Sequence, residues 1–241
     1  MDSNARVEQF ISDTKSRLVG QRKRLPPGTL PFVTITSQSG AGGNILAKKL
    51  LEHIDHCDSD NPALKGWRIF DKSMCQQVLT REHLATSMND LLDEKYHSQI
   101  AELVMGIFGD QGMQNAAYAR LSRFLRTVAS LGKVIILGHG GAMSTLGLAG
   151  GNHLRLVAPL SARVARMTPV LQLDEAHTLR EIQQRDRDRR QLWKTHYQID
   201  SADPEHYDLV CNTDRVSIDT IARMQLTLIL EQLGERQAMP A

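Results

Sequence analysis

The chain has 241 residues, of which 41% are hydrophobic and 23% charged, so it can bury one large core or two smaller ones. A net charge of +2 gives no global case for a nucleic-acid or membrane partner, because that case needs a clustered basic face. Cys57, Cys75 and Cys211 are isolated and lack CxxC spacing, which argues against a disulfide framework or a zinc site; a polar N-terminus and the lack of any run of about 18 apolar residues lead us to expect a cytoplasmic protein without membrane spans.

Residues 1–30 read as an N-terminal helical extension and linker. Val7, Phe10, Ile11 and Leu18 fall on one stripe of a helix ended by Gly20, ahead of Arg22, Lys23, Arg24 and the turn Pro26-Pro27-Gly28. That stripe is expected to pack on the main domain or on a second subunit, and the basic cluster reads as a solvated loop.

Residues 31–241 form the main domain. Phe32 to Ile35 suit a buried strand, Ser37 to Gly43 a glycine-rich turn, and Ile45, Leu46, Leu50, Leu51 and Ile54 a helix that begins as the turn ends. Such a junction is a ready anion site: glycines let backbone N–H groups close around phosphate oxygens, and the helix dipole adds partial positive charge. In the P-loop pattern G-x-x-x-x-G-K-[ST], Gly42 takes the last glycine, Ser37 the first, Gly43 the lysine position and Asn44 the hydroxyl position. The cradle is present without its lysine, and Lys48 and Lys49 lie beyond it on the helix. A tight turn that binds nothing is the competing reading.

His53, His56 and Cys57 match no zinc spacing. Trp67 to Phe70 makes a second strand ending in Asp71-Lys72, and groups at the carboxyl ends of strands in an α/β sheet face the ligand crevice. Asp71 is therefore a candidate site residue, with a helix cap as the competing reading. Residues 73–131 read as mostly helical, more than a crossover needs, and suit an inserted substrate-binding or dimerisation subdomain.

Val134 to Leu137 is a third strand, running into Gly138-His139-Gly140-Gly141, a second glycine-rich approach to the same crevice. An esterase oxyanion loop would need a G-x-S-x-G elbow, which the sequence lacks. Leu154 to Ala158 is a fourth strand, closed by Pro159. A charged helix follows, with Leu179 and Ile182 inward and then Arg185-Asp186-Arg187-Asp188-Arg189-Arg190. Alternating charges usually mark a solvated helix, yet beside a cradle without lysine these arginines can hold phosphate oxygens. Tyr207 to Asn212 is the fifth strand, and Val216 to Leu233 the closing helix.

In order and spacing, Thr34-Ile35-Thr36-Ser37 with Ser39-Gly40-Ala41-Gly42-Gly43, Phe70-Asp71-Lys72, Val134 to Gly138, Val157-Ala158-Pro159-Leu160, Arg185 to Arg189 and Tyr207 to Val210 with Asn212-Thr213 resemble the cytidylate kinase-like family of P-loop proteins, relatives of the nucleoside monophosphate kinases. The resemblance implies an α/β fold, a P-loop NTPase-type parallel five-stranded sheet of order 2-3-1-4-5 with helices on both faces and a helical insert. It implies ATP and Mg²⁺ as cofactors and phosphoryl transfer to a nucleoside monophosphate or related small molecule. Ser39, Gly40, Ala41, Gly42, Gly43 and Asn44 would cradle the donor phosphates; Asp71, Lys72 and His139 would face the acceptor; Arg185, Arg187 and Arg189, on a lid of about 174–200, would act on the transferred group. No protein metal ligand is expected. His139 stands where family members usually carry arginine, which removes a permanent cation. A nucleotide-binding protein without turnover, with a regulatory or interaction role, is the second reading, and a homodimer through the insert is left open.

Overall fold

The computed structural model describes residues 3–20, 30–80 and 113–234, without the side chains of residues 3, 4, 14–20, 72, 79 and 113–115. Among them, five strands form one parallel sheet: β1 (Phe32–Ser37), β2 (Arg68–Phe70), β3 (Val134–Leu137), β4 (Gly151–Val157) and β5 (Leu209–Asn212). Their spatial order is β2-β3-β1-β4-β5, as the resemblance implied. The helices are α1 (Ser3–Gly20), α2 (Gly43–Asp55), α3 (Lys72–Thr80), α4 (Met113–Ser130), α5 (Gly141–Thr145), α6 (Leu160–Leu171), α7 (Glu175–Tyr197) and α8 (Ile218–Gln232). Residues 81–112 of the expected insert lie outside the described residues. No described helix is long and apolar enough to cross a membrane.

Strand alternation decides the two layers, because successive side chains face opposite sides of a sheet. Val33, Ile35, Ile135, Leu137, Leu154 and Leu156 enter a core roofed by Leu46, Leu50 and Ile54 of α2 and by Ile221, Ala222 and Ile229 of α8. On the other face, Phe32, Phe70, Val134 and Ile136 meet Met74 and Val78 of α3, Leu121, Phe124 and Leu125 of α4, and Val7, Phe10 and Ile11 of α1. Each fully buried side chain of this kind contributes about 1.5–3 kcal/mol. Val7, Phe10 and Ile11 of the N-terminal stripe thus pack on the main sheet's own core, with the Phe10 and Phe70 rings edge to face at 5.5 Å, while the side chain of Leu18 lies outside the described set.

This second face turns polar under β1 and β4. The Thr34 hydroxyl and His153 Nδ1 are 2.8 Å apart, and buried Arg155 donates to the Ser201 carbonyl and lies 5.5 Å from the Tyr207 ring centroid. His153 and Arg155 are tolerated there because each is partnered. β4 starts at Gly151, ahead of the apolar run that marks it in the sequence, because Asn152, which donates to Gln232 on the other face, and His153 are buried strand residues without apolar side chains.

Candidate functional site

Gly40 and Gly42 adopt φ of +81° and +94°, a region that side chains with a Cβ rarely enter, so the sharp path from β1 into α2 depends on them. No side chain caps α2, which leaves its first-turn N–H groups open to an external anion. Gly43 has a different reason to be glycine. A Cβ there would lie 2.6 Å from Ser37 Oγ, so the two departures from the lysine-bearing loop are sterically linked.

Helix α7, the expected lid, is capped by Asp174, whose carboxylate accepts the His177 N–H at 2.8 Å. Farther along, Asp186 reaches the loop: Oδ1 accepts the Ser39 N–H at 2.9 Å, and Oδ2 accepts Arg163 Nη1 at 2.6 Å. Arg163, from α6, also donates to the carbonyls of Ala158 (3.0 Å) and Ser39 (3.2 Å). Arg189 Nη1 donates to the Ser37 carbonyl at 2.7 Å. The far end of α7 is anchored by Tyr197, whose hydroxyl is 3.0 Å from Ser144 Oγ; burial pushes its phenol well up, so it stays protonated. The same ring explains Gly140, where a Cβ would lie 2.4 Å from the Tyr197 hydroxyl.

The expected lid arginines therefore separate. Arg189 lies on the loop, whereas Arg185 pairs with Glu181 at 2.7 Å and Arg187 donates to Gln184 at 2.7 Å, both among exposed side chains. Helical spacing accounts for this. Ile182, Asp186, Arg189, Trp193 and Tyr197 recur at intervals that make one stripe, and Arg185 and Arg187 lie off it. Extending that stripe from Ile182 would have found Asp186 in the sequence. Arg163 had no such signal, since one arginine early in a helix is unremarkable until its partners are known.

On the opposite side of the loop lies a cavity of about 620 Å³, lined among the described residues by Arg6, Asn44, Lys48, Ile69, Asp71, Ser73, Gln76, Gln77 and Leu137. Asp71 lies at the end of β2 and borders this cavity. It caps α3, accepting from the N–H groups of Ser73 (3.0 Å) and Met74 (3.1 Å), and it also faces the cavity. Burial works against its charge, but bonds from the Ser73 hydroxyl, Arg6 and the Met74 N–H outweigh that and hold the carboxyl below its usual range. Asn44, the last residue of the loop alignment, lies on the cavity wall together with Lys48, one helical turn on. Lys72 opens α3, and its side chain is outside the described set. His139 has φ of +51° between Gly138 and Gly140, and it is not among the described residues lining this cavity.

A sequence profile of the cytidylate kinase-like family matches residues 32–215. Among solved structures, an uncharacterized protein from Eubacterium ventriosum ATCC 27560 is similar with a TM-score of 0.62 at 17% identity, over 83% of this chain and 98% of that one. Shikimate kinase from Acinetobacter baumannii, in complex with shikimate, is 16% identical with a TM-score of 0.40, over 85% of this chain and 95% of its own. At these identities the likeness concerns the fold alone. No curated protein matches the sequence.

Proposed function

Because this chain belongs to the cytidylate kinase-like family, we propose that it transfers the γ-phosphoryl group of ATP to a nucleoside monophosphate, with cytidylate as the first acceptor to test. Family membership supports the coarser class, nucleotide-dependent phosphotransfer; the donor, the acceptor and the residue roles are the proposal.

The observation that carries it is the position of Asn44, which ends the glycine loop and also lines the 620 Å³ cavity. A donor phosphate cradled by the N–H groups of Gly40 to Asn44 would thus end beside whatever fills that cavity. The volume is in the range of small-molecule sites, about 300–1,000 Å³. Its walls combine apolar side chains (Ile69, Leu137), amide groups (Asn44, Gln76, Gln77), the Ser73 hydroxyl, two cations (Arg6, Lys48) and one carboxylate, Asp71, already paired with Arg6, which suits an organic anion with hydrogen-bonding edges.

Phosphoryl transfer asks mainly for alignment and charge neutralisation. An acceptor phosphate oxygen forms the new bond to the γ-phosphorus as the bond to the β-phosphate oxygen breaks. Arg189 stands over the loop, and its guanidinium would supply part of the charge that Gly43 does not. Movement of the lid, about residues 174–200, would bring Arg185 or Arg187 inward. Among the described residues, no group of three His, Cys, Asp or Glu side chains converges. Mg²⁺ binds largely through substrate phosphates and water and would come with the nucleotide.

The test is product formation from ATP with CMP, UMP and AMP, followed by chromatography of nucleoside diphosphates. Turnover is expected with at least one acceptor, and Arg189→Ala should reduce it by about 100-fold or more while ATP still binds. ATP binding without any product would favour the second reading, nucleotide binding without turnover, to which the glycine at position 43 lends support.

A further inference from the structure

We propose that Arg6, on the N-terminal helix and outside the family-matched segment, binds the anionic group of the acceptor in the cavity between α2 and α3. The inference rests on the phosphotransfer reading and assigns a residue within it.

Arg6 and Lys48 are the cations among the described residues that line the cavity. Lys48 is an exposed side chain on a flexible stem, whereas Arg6 is held: Nη2 donates to Asp71 Oδ2 at 2.7 Å, and Nη1 has a longer contact, 3.4 Å, with Ser73 Oγ. A guanidinium carries five N–H donors in a planar fork, so a single short bond to Asp71 leaves donors for a ligand while fixing the fork's direction. Asp71, for its part, has its charge offset by Arg6 and its lone pairs engaged by Ser73 and Met74. The pair therefore presents hydrogen-bond donors to the cavity without presenting a bare carboxylate.

The helix that carries Arg6 is fastened independently of it. Val7, Phe10 and Ile11 are buried in the core beneath α3 and α4, and Asp13 pairs with Arg68. Docking α1 does not require a second arginine at the cavity wall. A side chain in that position on a firmly seated helix is suited to binding.

The test is calorimetric titration of CMP and, separately, of ATP with Mg²⁺ into the full chain and into Arg6→Ala, Arg6→Lys and Asp13→Asn. Arg6→Ala should weaken CMP by about 10- to 100-fold, the range for a hydrogen bond to a charged group. Arg6→Lys should fall between Arg6→Ala and the unmodified chain, and ATP affinity should not change. Asp13→Asn loosens the same helix without altering the cavity and should leave CMP affinity within about twofold. Equal weakening by Arg6→Ala and Asp13→Asn would show that Arg6 only fastens α1 and would overturn the inference. Unchanged CMP affinity in Arg6→Ala, or no CMP binding by the unmodified chain, would overturn it too. Failure of ATP to bind the unmodified chain would count against the phosphotransfer reading, whereas the CMP titrations decide Arg6 on their own.

Discussion

On the side of α7 the start of the glycine loop is held by the protein's own charges, with Asp186 between the Ser39 N–H and Arg163, and Arg189 on the Ser37 carbonyl. The space left there is about 50 Å³, against about 620 Å³ on the side of α1 and α3. One loop thus borders a partnered ionic lock and an open polar cavity. The contrast suggests a division of labour: substitutions at Arg163 and Asp186 should be read first in stability, and those on the cavity wall first in affinity.

The largest effect should come from breaking the lock. Arg163 is only 8% exposed and Asp186 16%, so Arg163→Ala would leave a poorly solvated carboxylate with the Ser39 N–H and a longer 3.9 Å contact to Arg189 in place of its short ion pair. A loss of about 3–5 kcal/mol is expected, lowering Tm on the order of 10 °C. A shift of only a degree or two in a thermal melt would mean that α7 carries little of the loop's stability. Gly43→Ala should cost about 1–3 kcal/mol, because its Cβ needs the space of Ser37 Oγ. In the double variant Ser37→Gly, Gly43→Ala most of that loss should return. Denaturant titrations of the two singles and the double measure the coupling, and simple additivity would show that the two positions are independent.

The smallest effect concerns the polar face beneath the lock. Burial lowers the pKa of His153 from its ordinary 6.5, with Asp208 opposing that shift, so the folded state resists a proton that the unfolded chain accepts. The sign follows from linkage: stability is complete above about pH 6.5 and declines as pH falls below it, levelling off under the folded-state pKa. Urea melts between pH 8 and 5 should show this slope, reduced in His153→Gln. An unchanged slope would place the titration elsewhere.

Much of the fold was legible because its signals are local. The apolar run from Phe32, the glycines that follow and the helical spacing from Ile45 mark strand, turn and helix without tertiary information, and the strand-end position of Asp71 was visible in the same way. The site was less legible, for a physical reason. Residue type alone groups Arg185, Arg187 and Arg189, whereas helical rotation brings Asp186 and Arg189 to the loop and leaves Arg185 and Arg187 on exposed partners. Arg6 meets Asp71 across 65 positions of sequence, and Arg163 meets Ser39 across 124. Periodicity places a residue on a face of its own element, but it does not say which distant element that face will meet.

The most direct test of separate donor and acceptor sites on the two sides of Asn44 is calorimetric titration of ATP with Mg²⁺, first into the free protein and then into protein saturated with CMP. Both ligands are expected to bind together, with micromolar ATP affinity that CMP leaves unchanged or tightens. No heat from ATP, or displacement of CMP by ATP as from a single shared site, would contradict it.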